Sequence, residues 1–207
     1  MQNTTVILAN GTFPTAPQAL AVLDGAARIV CCDGAAIALM ESGRTPAAVI
    51  GDLDSISPEL RRKLAPMIVH VTEQDTNDLN KAFRYCLAQG WTDIVILGAT
   101  GKREDHTLGN ISLLVDFAQK IPGIKMVTDD GVFEVMLESG SCEARVGQQI
   151  SIFAMEPDTP IESHNLKYPL NGLAPSRWWQ ATLNESLADT FTLTFPTNHP
   201  LLIYKAF

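Results

Sequence analysis

Short, mainly apolar runs, rich in Val and Ile, recur through the first half of the chain at 6–9, 28–32, 48–50, 67–71, 93–97 and 124–127. Most show no regular alternation with polar positions, which is the pattern of strands buried on both faces. Between them lie segments of helical composition at 18–23, 35–41, 58–64, 78–89 and 107–119. Strand and helix alternate, so the pattern predicts an α/β fold, a doubly wound, mostly parallel, Rossmann-like sheet. Such sheets bind ligands in the crevice beyond the carboxyl ends of their strands. After about residue 130 the pattern changes. Strand-like runs at 132–137, 149–154, 161–166, 190–195 and 201–204 are separated by Gly, Pro, Asn and Ser, with no long helical period. This predicts a small all-β sandwich or half-barrel. The expected division is an α/β domain over residues 1–129 and a β-sandwich domain over 130–207. So small a β domain is expected to pack against the first domain or a second copy of the chain.

Composition narrows the classes of partner. The 207 residues are 46% hydrophobic and 18% charged, enough apolar material to bury a core and too much for a disordered chain. A formal net charge of -8 argues against a surface that neutralises a phosphate backbone, so no nucleic-acid partner is expected. The acidic excess falls mainly after residue 128, where four Lys and Arg face ten Asp and Glu. The opening MQNTTVILANGTFPTAP has no basic leader followed by a long apolar stretch. No apolar run approaches the ~18 residues of a membrane span. The expected location is the cytoplasm, without a membrane partner. Cys31 and Cys32 are adjacent and Cys86 and Cys142 isolated, with no CxxC spacing, which predicts buried, reduced thiols rather than a zinc site or disulfides.

Four segments at strand ends carry candidate chemistry. Gly51-Asp52-Leu53-Asp54-Ser55 follows the third strand; two carboxylates two residues apart at this level suit a divalent cation, and equally an Asp-rich turn before the next helix. Glu73 to Ala82 follows the fourth; Thr76 or Asn77 can cap a helix whose first turn holds Asp78. Carboxylates from both segments would share one crevice and repel unless a cation joined them. The third segment, Gly98-Ala99-Thr100-Gly101-Lys102-Arg103-Glu104-Asp105-His106-Thr107-Leu108-Gly109-Asn110, is the most specific. Its glycines admit a phosphate to backbone N–H groups, a helix amino terminus follows, and Arg103 can clamp phosphate oxygens. It lacks the closing Gly-Lys-Ser/Thr of a Walker A loop. In the fourth, Cys32-Asp33-Gly34-Ala35-Ala36, Asp33 can touch a ligand, although Asp-Gly here also reads as a plain turn. Together the segments read as a metal-assisted phosphate-transfer site, with ester and acceptor unspecified.

In this order the four segments resemble the thiamine pyrophosphokinase family, whose ADGGA, GDxDS, Q-D-x-T-D-x-x-K-A and GATGxRxDHTLxN patterns are similar to 32–36, 51–55, 74–82 and 98–110. The resemblance continues through Leu166-Lys167-Tyr168-Pro169-Leu170, Leu183-Asn184-Glu185 and Asn198-His199-Pro200-Leu201-Leu202, so it spans essentially the whole chain. It implies Mg2+-dependent transfer of the pyrophosphoryl group of ATP to the hydroxyl of thiamine, giving thiamine diphosphate and AMP. It also implies a homodimer with thiamine held between subunits. Asp52, Asp54 and Asp78 would hold Mg2+, with Asp105 completing the acidic, catalytic set. Gln74, Asn77, Thr100, Arg103 and His106 would line the ATP side, and Tyr168 and Asn184 the thiamine side. Ala35 stands where the family has a second glycine, Asn77 where it has threonine and Leu183 where it has serine. Asn77 can still cap and donate, whereas Leu183 cannot donate from its side chain. The rival readings are a related transferase acting on another small alcohol and a non-catalytic thiamine- or nucleotide-binding module.

Overall fold

The computed structural model describes residues 3–53, 56–73 and 75–207. In the first half, β1 (Thr5–Leu8), α1 (Pro17–Asp24), β2 (Arg28–Cys32), α2 (Ala35–Glu41), β3 (Ala48–Gly51), α3 (Pro58–Leu64), β4 (Ile68–His70), α4 (Asp78–Ala88), β5 (Ile94–Leu97), α5 (Glu104–Ala118) and β6 (Lys125–Val127) alternate in sequence. Local chemistry explains the helix starts. Pro17 opens α1, Ser57 accepts from the Leu60 N–H at 3.2 Å ahead of Pro58 in α3, and Asn77 accepts from the Asn80 N–H at 3.0 Å in α4. Helix α5 begins three residues earlier than its apolar pattern predicts, because Glu104 and Asp105 are favoured in a first turn by the helix dipole.

The strands of this half stand in the order β6-β5-β1-β2-β3-β4, every pairing parallel. The chain walks outward from β1 to β4 and then returns through α4 to β5 on the other side of β1. The order therefore reverses at β1, the kind of point where such sheets open a crevice. All four residues of β1 and of β3 are buried, as their unbroken apolar runs require.

The second half is antiparallel. Strands β7 (Gly131–Met136), β8 (Gly140–Glu143), β9 (Gln149–Ala154), β10 (Glu162–His164), β11 (Asn184–Glu185), β12 (Thr190–Thr194) and β13 (Leu201–Ala206) form the runs β11-β9-β13-β7 and β10-β12-β8. Burial now alternates: in β9, Ile150, Ile152 and Ala154 point into a core shared with Phe191, Leu193, Leu201 and Ile203. Strands β8 and β11 escape the sequence pattern because Gly140-Ser141-Cys142-Glu143 is short and mostly polar and β11 has two residues. Pairing with Thr190–Leu193 makes β8 a strand. Compact packing separates one unit that runs to Leu113 and includes Ile124–Asp129 from a second made of Leu114–Gly123 and Asp130–Phe207. The fold is thus an α/β unit with a mostly parallel sheet and a separate antiparallel β unit. All four cysteines are free and buried, and burial pushes the Cys31 and Cys86 thiols up to about 12. No described helix is long and apolar enough to cross a membrane.

Candidate active site

The loops after β1, β2, β3 and β5 and the amino-terminal end of α4 enclose a cavity of about 470 Å3 in the first unit. Asn10, Asp33, Asp52, Asp78, Thr100 and Arg103 contribute to its wall from different strand ends. Glycines allow the loops to meet. Gly98 has φ +64, and a methyl there would stand 2.7 Å from the Ala9 carbonyl oxygen, so only glycine lets the β5 loop fold beside β1.

One wall is acidic. Asp78 occupies the first position of α4, and Asp33 and Asp52 directly follow β2 and β3. Burial pushes the Asp78 carboxyl up; the Lys81 ammonium, 3.3 Å from Oδ1, draws it back, and the charges of Asp33 and Asp52 push it further up. Lys81 is itself buried, so the cavity contains one sequestered cation among three carboxylates. Asp33 is 5% exposed, adopts φ 38 and leaves Oδ1 without a hydrogen-bond partner among the described residues. Among the described residues, no group of three or more His, Cys, Asp or Glu side chains is close enough to hold a metal ion.

The opposite wall is basic and polar. Thr100, Lys102, Arg103 and His106 line it, and Lys102 Nζ donates to Asn10 Oδ1 at 3.2 Å. Arg103 makes a two-pronged contact with Asp105, from Nε to Oδ1 at 3.1 Å and from Nη2 to Oδ2 at 2.5 Å. That hydrogen bonding, with the His106 N–H, holds the Asp105 carboxyl below its ordinary range. Asp105 does not line the cavity; it faces Arg103. The walls are tied together by amides. Asn77 Nδ2 donates to Asn110 Oδ1 at 3.1 Å, and Asn110 Nδ2 donates to the Ala99 carbonyl at 2.8 Å. Asn77 therefore caps α4 and anchors it to α5 and the β5 loop. Asn77→Ala is expected to destabilise the protein by about 1 kcal/mol. A melting temperature lowered by ~2–4 °C would record it, and an unchanged one would mean the cap and anchor carry nothing.

Of the residues singled out in the sequence, the structure brings Asp52, Asn77, Asp78, Thr100, Arg103 and His106 to one cavity. Asp54 and Gln74 lie outside the described residues. Tyr168 and Asn184 belong to the second unit. There the buried Asn184 amide accepts from the Tyr168 N–H at 3.1 Å and donates to the Tyr168 carbonyl at 2.7 Å, while the Tyr168 ring stays exposed. Leu183, at φ 58 with its side chain in solvent, offers its backbone N–H to Ser151 Oγ at 3.2 Å. Trp178 meets Phe153 edge-on at 6.0 Å, and its neighbour Trp179 is exposed. Sequence reasoning passed over Lys81 and Asn110, although both stood inside the quoted segments, and treated Asp33 mainly as a turn. It is a turn, since the Ala36 N–H donates to the Asp33 carbonyl at 3.2 Å, and it is a cavity residue as well.

With this arrangement established, similarity to known proteins is decisive. The thiamin pyrophosphokinase catalytic domain matches residues 20–127, and the thiamin pyrophosphokinase substrate-binding domain matches residues 131–204. The chain belongs to the thiamin pyrophosphokinase family. It is 35% identical to the thiamine pyrophosphokinase of Bacillus subtilis over 173 residues, 80% of each chain. It is 30% identical to thiamin pyrophosphokinase 1 of Caenorhabditis elegans over 141 residues, 62% of this chain but 57% of the nematode protein. The crystal structure of the Bacillus subtilis enzyme superposes with a TM-score of 0.82 at 26% identity, covering 98% of both chains. That of Geobacillus thermodenitrificans gives 0.80 at 25%, covering 99% of this chain and 97% of its own. The family is one of enzymes, and apart from Ala9, Asn10 and Gly11 the residues lining the cavity lie within the span of the thiamin pyrophosphokinase catalytic match.

Proposed function

We propose that the chain is a thiamine pyrophosphokinase that transfers the pyrophosphoryl group of ATP to the hydroxyl of thiamine, yielding thiamine diphosphate and AMP. The observation that carries this reading is one cavity with carboxylates on one wall and Arg103, Lys102 and His106 on the other, in a chain of that family. The donor set fits a small hard dication. Asp33 Oδ1 is buried without a partner among the described residues, and Asp78 sits among like charges, two conditions that a bound cation relieves. In this reading Asp52, Asp54 and Asp78 hold Mg2+, which when bound offsets phosphate charge and polarises the phosphoryl oxygens.

The protein's own part is positioning. Arg103, with Thr100, Gln74 and the start of α5, grips the phosphates of ATP, and Asn77 keeps the two walls in register. Arg103 meets the negative charge that develops in transfer, and Asp105 steadies Arg103. The thiamine hydroxyl oxygen forms a bond to the β-phosphorus, the bond from that phosphorus to the α–β bridging oxygen breaks, and the hydroxyl proton passes to a carboxylate of the acidic wall. Little covalent chemistry is required of the side chains, so orientation and charge neutralisation dominate the rate.

Tyr168, fixed by Asn184, is proposed to meet thiamine. Exposed Tyr168, Trp179, Leu183 and Leu187 on the second unit support pairing with a second copy of the chain as a homodimer. Four free thiols support a reducing, cytoplasmic setting. Incubation with ATP, Mg2+ and thiamine is expected to release AMP and thiamine diphosphate in equal amounts. ADP with thiamine monophosphate, preference for another small alcohol in competition, or no turnover would overturn the assignment.

A further inference from the structure

Within that reading, Asp33 stands apart from the other acidic residues. It is 95% removed from solvent, yet Oδ1 has no hydrogen-bond partner among the described residues. An ionised or polar oxygen buried in this way is costly and persists in a native fold only where something outside the chain satisfies it. The backbone is also held in the left-handed region, at φ 38, by the Asp33 N–H donating to the Ile50 carbonyl at 2.8 Å and by the turn into α2. This conformation costs a non-glycine residue some stability, least of all Asp and Asn. The side chain borders the cavity beside Asp78: a methyl placed on Gly51 would lie 3.0 Å from Asp33 Cβ and 3.4 Å from Asp78 Oδ1, so the two flank one point.

The carboxylates of the described residues are not gathered tightly enough to enclose a bare ion. Mg2+ does not need such an enclosure, because it keeps several waters and is held through one or two carboxylates. We propose that Asp33 is a positioning residue for the hydrated cation, its free Oδ1 accepting a hydrogen bond from the cation's hydration shell. This rests on the cation reading of the site and adds a residue with a distinct role. The metal-free protein then carries Asp33 as a standing cost to stability, and that cost is recovered when the cation arrives. A carboxylate retained for the turn alone would do the reverse and stabilise the metal-free fold.

The test uses the full chain without nucleotide or thiamine. Mn2+ binding is followed by electron paramagnetic resonance of the free ion, and thermal unfolding is measured with and without the metal. Asp33→Asn keeps the side-chain shape and tolerates the left-handed backbone; Asp33→Gly is the second variant, removing the carboxylate while accepting the same φ. Both are expected to weaken Mn2+ binding at least ~10-fold, as loss of an outer-shell partner does. Asp33→Asn should keep or raise the metal-free melting temperature, by up to ~2–4 °C, and lose most of the rise that Mn2+ produces in the wild type. Mn2+ affinity unchanged in both variants, or a lowered metal-free melting temperature in Asp33→Asn, would overturn the assignment of Asp33. A wild-type protein that takes up no Mn2+ would instead overturn the cation reading itself, and Asp33 with it.

Discussion

Asp78→Asn is expected to lower kcat for thiamine diphosphate formation by about 10²–10³-fold, the scale on which losing one preorganised electrostatic group acts. The residue sits at the first position of α4, where half-burial, the Lys81 ammonium 3.3 Å away and the charges of Asp33 and Asp52 all act on its carboxyl. Asparagine keeps an oxygen that can accept from Lys81 and removes one of the mutually repelling charges. The fold should therefore survive with a circular dichroism spectrum like that of the wild type. The loss should sit in kcat and in the Mg2+ concentration needed for half-maximal rate, not in a uniform rise of KM. A folded Asp78→Asn enzyme with more than a tenth of wild-type kcat would remove Asp78 from the proposed cation-binding set.

Arg103→Ala is expected to reduce kcat/KM by about 10²-fold or more, because the transferring phosphoryl group would lose its guanidinium clamp. The ion pair it makes with Asp105 is exposed on both sides, with side chains 73% and 61% accessible, so little stability should go with it. Asp105→Asn separates two roles for that carboxylate. If Asp105 steadies Arg103, as its absence from the cavity wall suggests, Asp105→Asn should be milder than Arg103→Ala and leave the Mg2+ requirement unchanged. If instead it loses activity as fully as Asp78→Asn and shifts the Mg2+ requirement, Asp105 belongs with the carboxylates around the cation. Arg103→Lys should recover only part of the loss, since a point charge cannot reproduce the two-pronged grip.

Much of this protein was legible from residue order. Unbroken Val and Ile runs are produced by strands covered on both faces, and β1 and β3 are buried at every position. The strand-like run at 149–154 likewise forecast β9, whose burial alternates. Caps were legible because they are local: Ser57 before Pro58 and Asn77 before Asp78 act within four residues. Strand β8 was not, since Gly140–Glu143 has almost no apolar signal and becomes a strand through partners some fifty residues away in β12.

The site divides in the same way. Sequence alone determined the family, the alternation that sets strand ends at one level, and the residue types available there, because these depend on neighbours in the chain and on ordered motifs. Only the tertiary structure decided which of those residues share a cavity. It buried Lys81 beside Asp78, tied Asn77 to Asn110 and left Asp33 Oδ1 with no hydrogen-bond partner among the described residues. The Asp78–Lys81 and Arg103–Asp105 pairings are between near neighbours in the chain, whereas the Asn77–Asn110 tie and the burial of Lys81 and Asp33 depend on groups carried by different strands and helices. The reversal of strand order at β1 brings those groups together, and no local pattern encodes it.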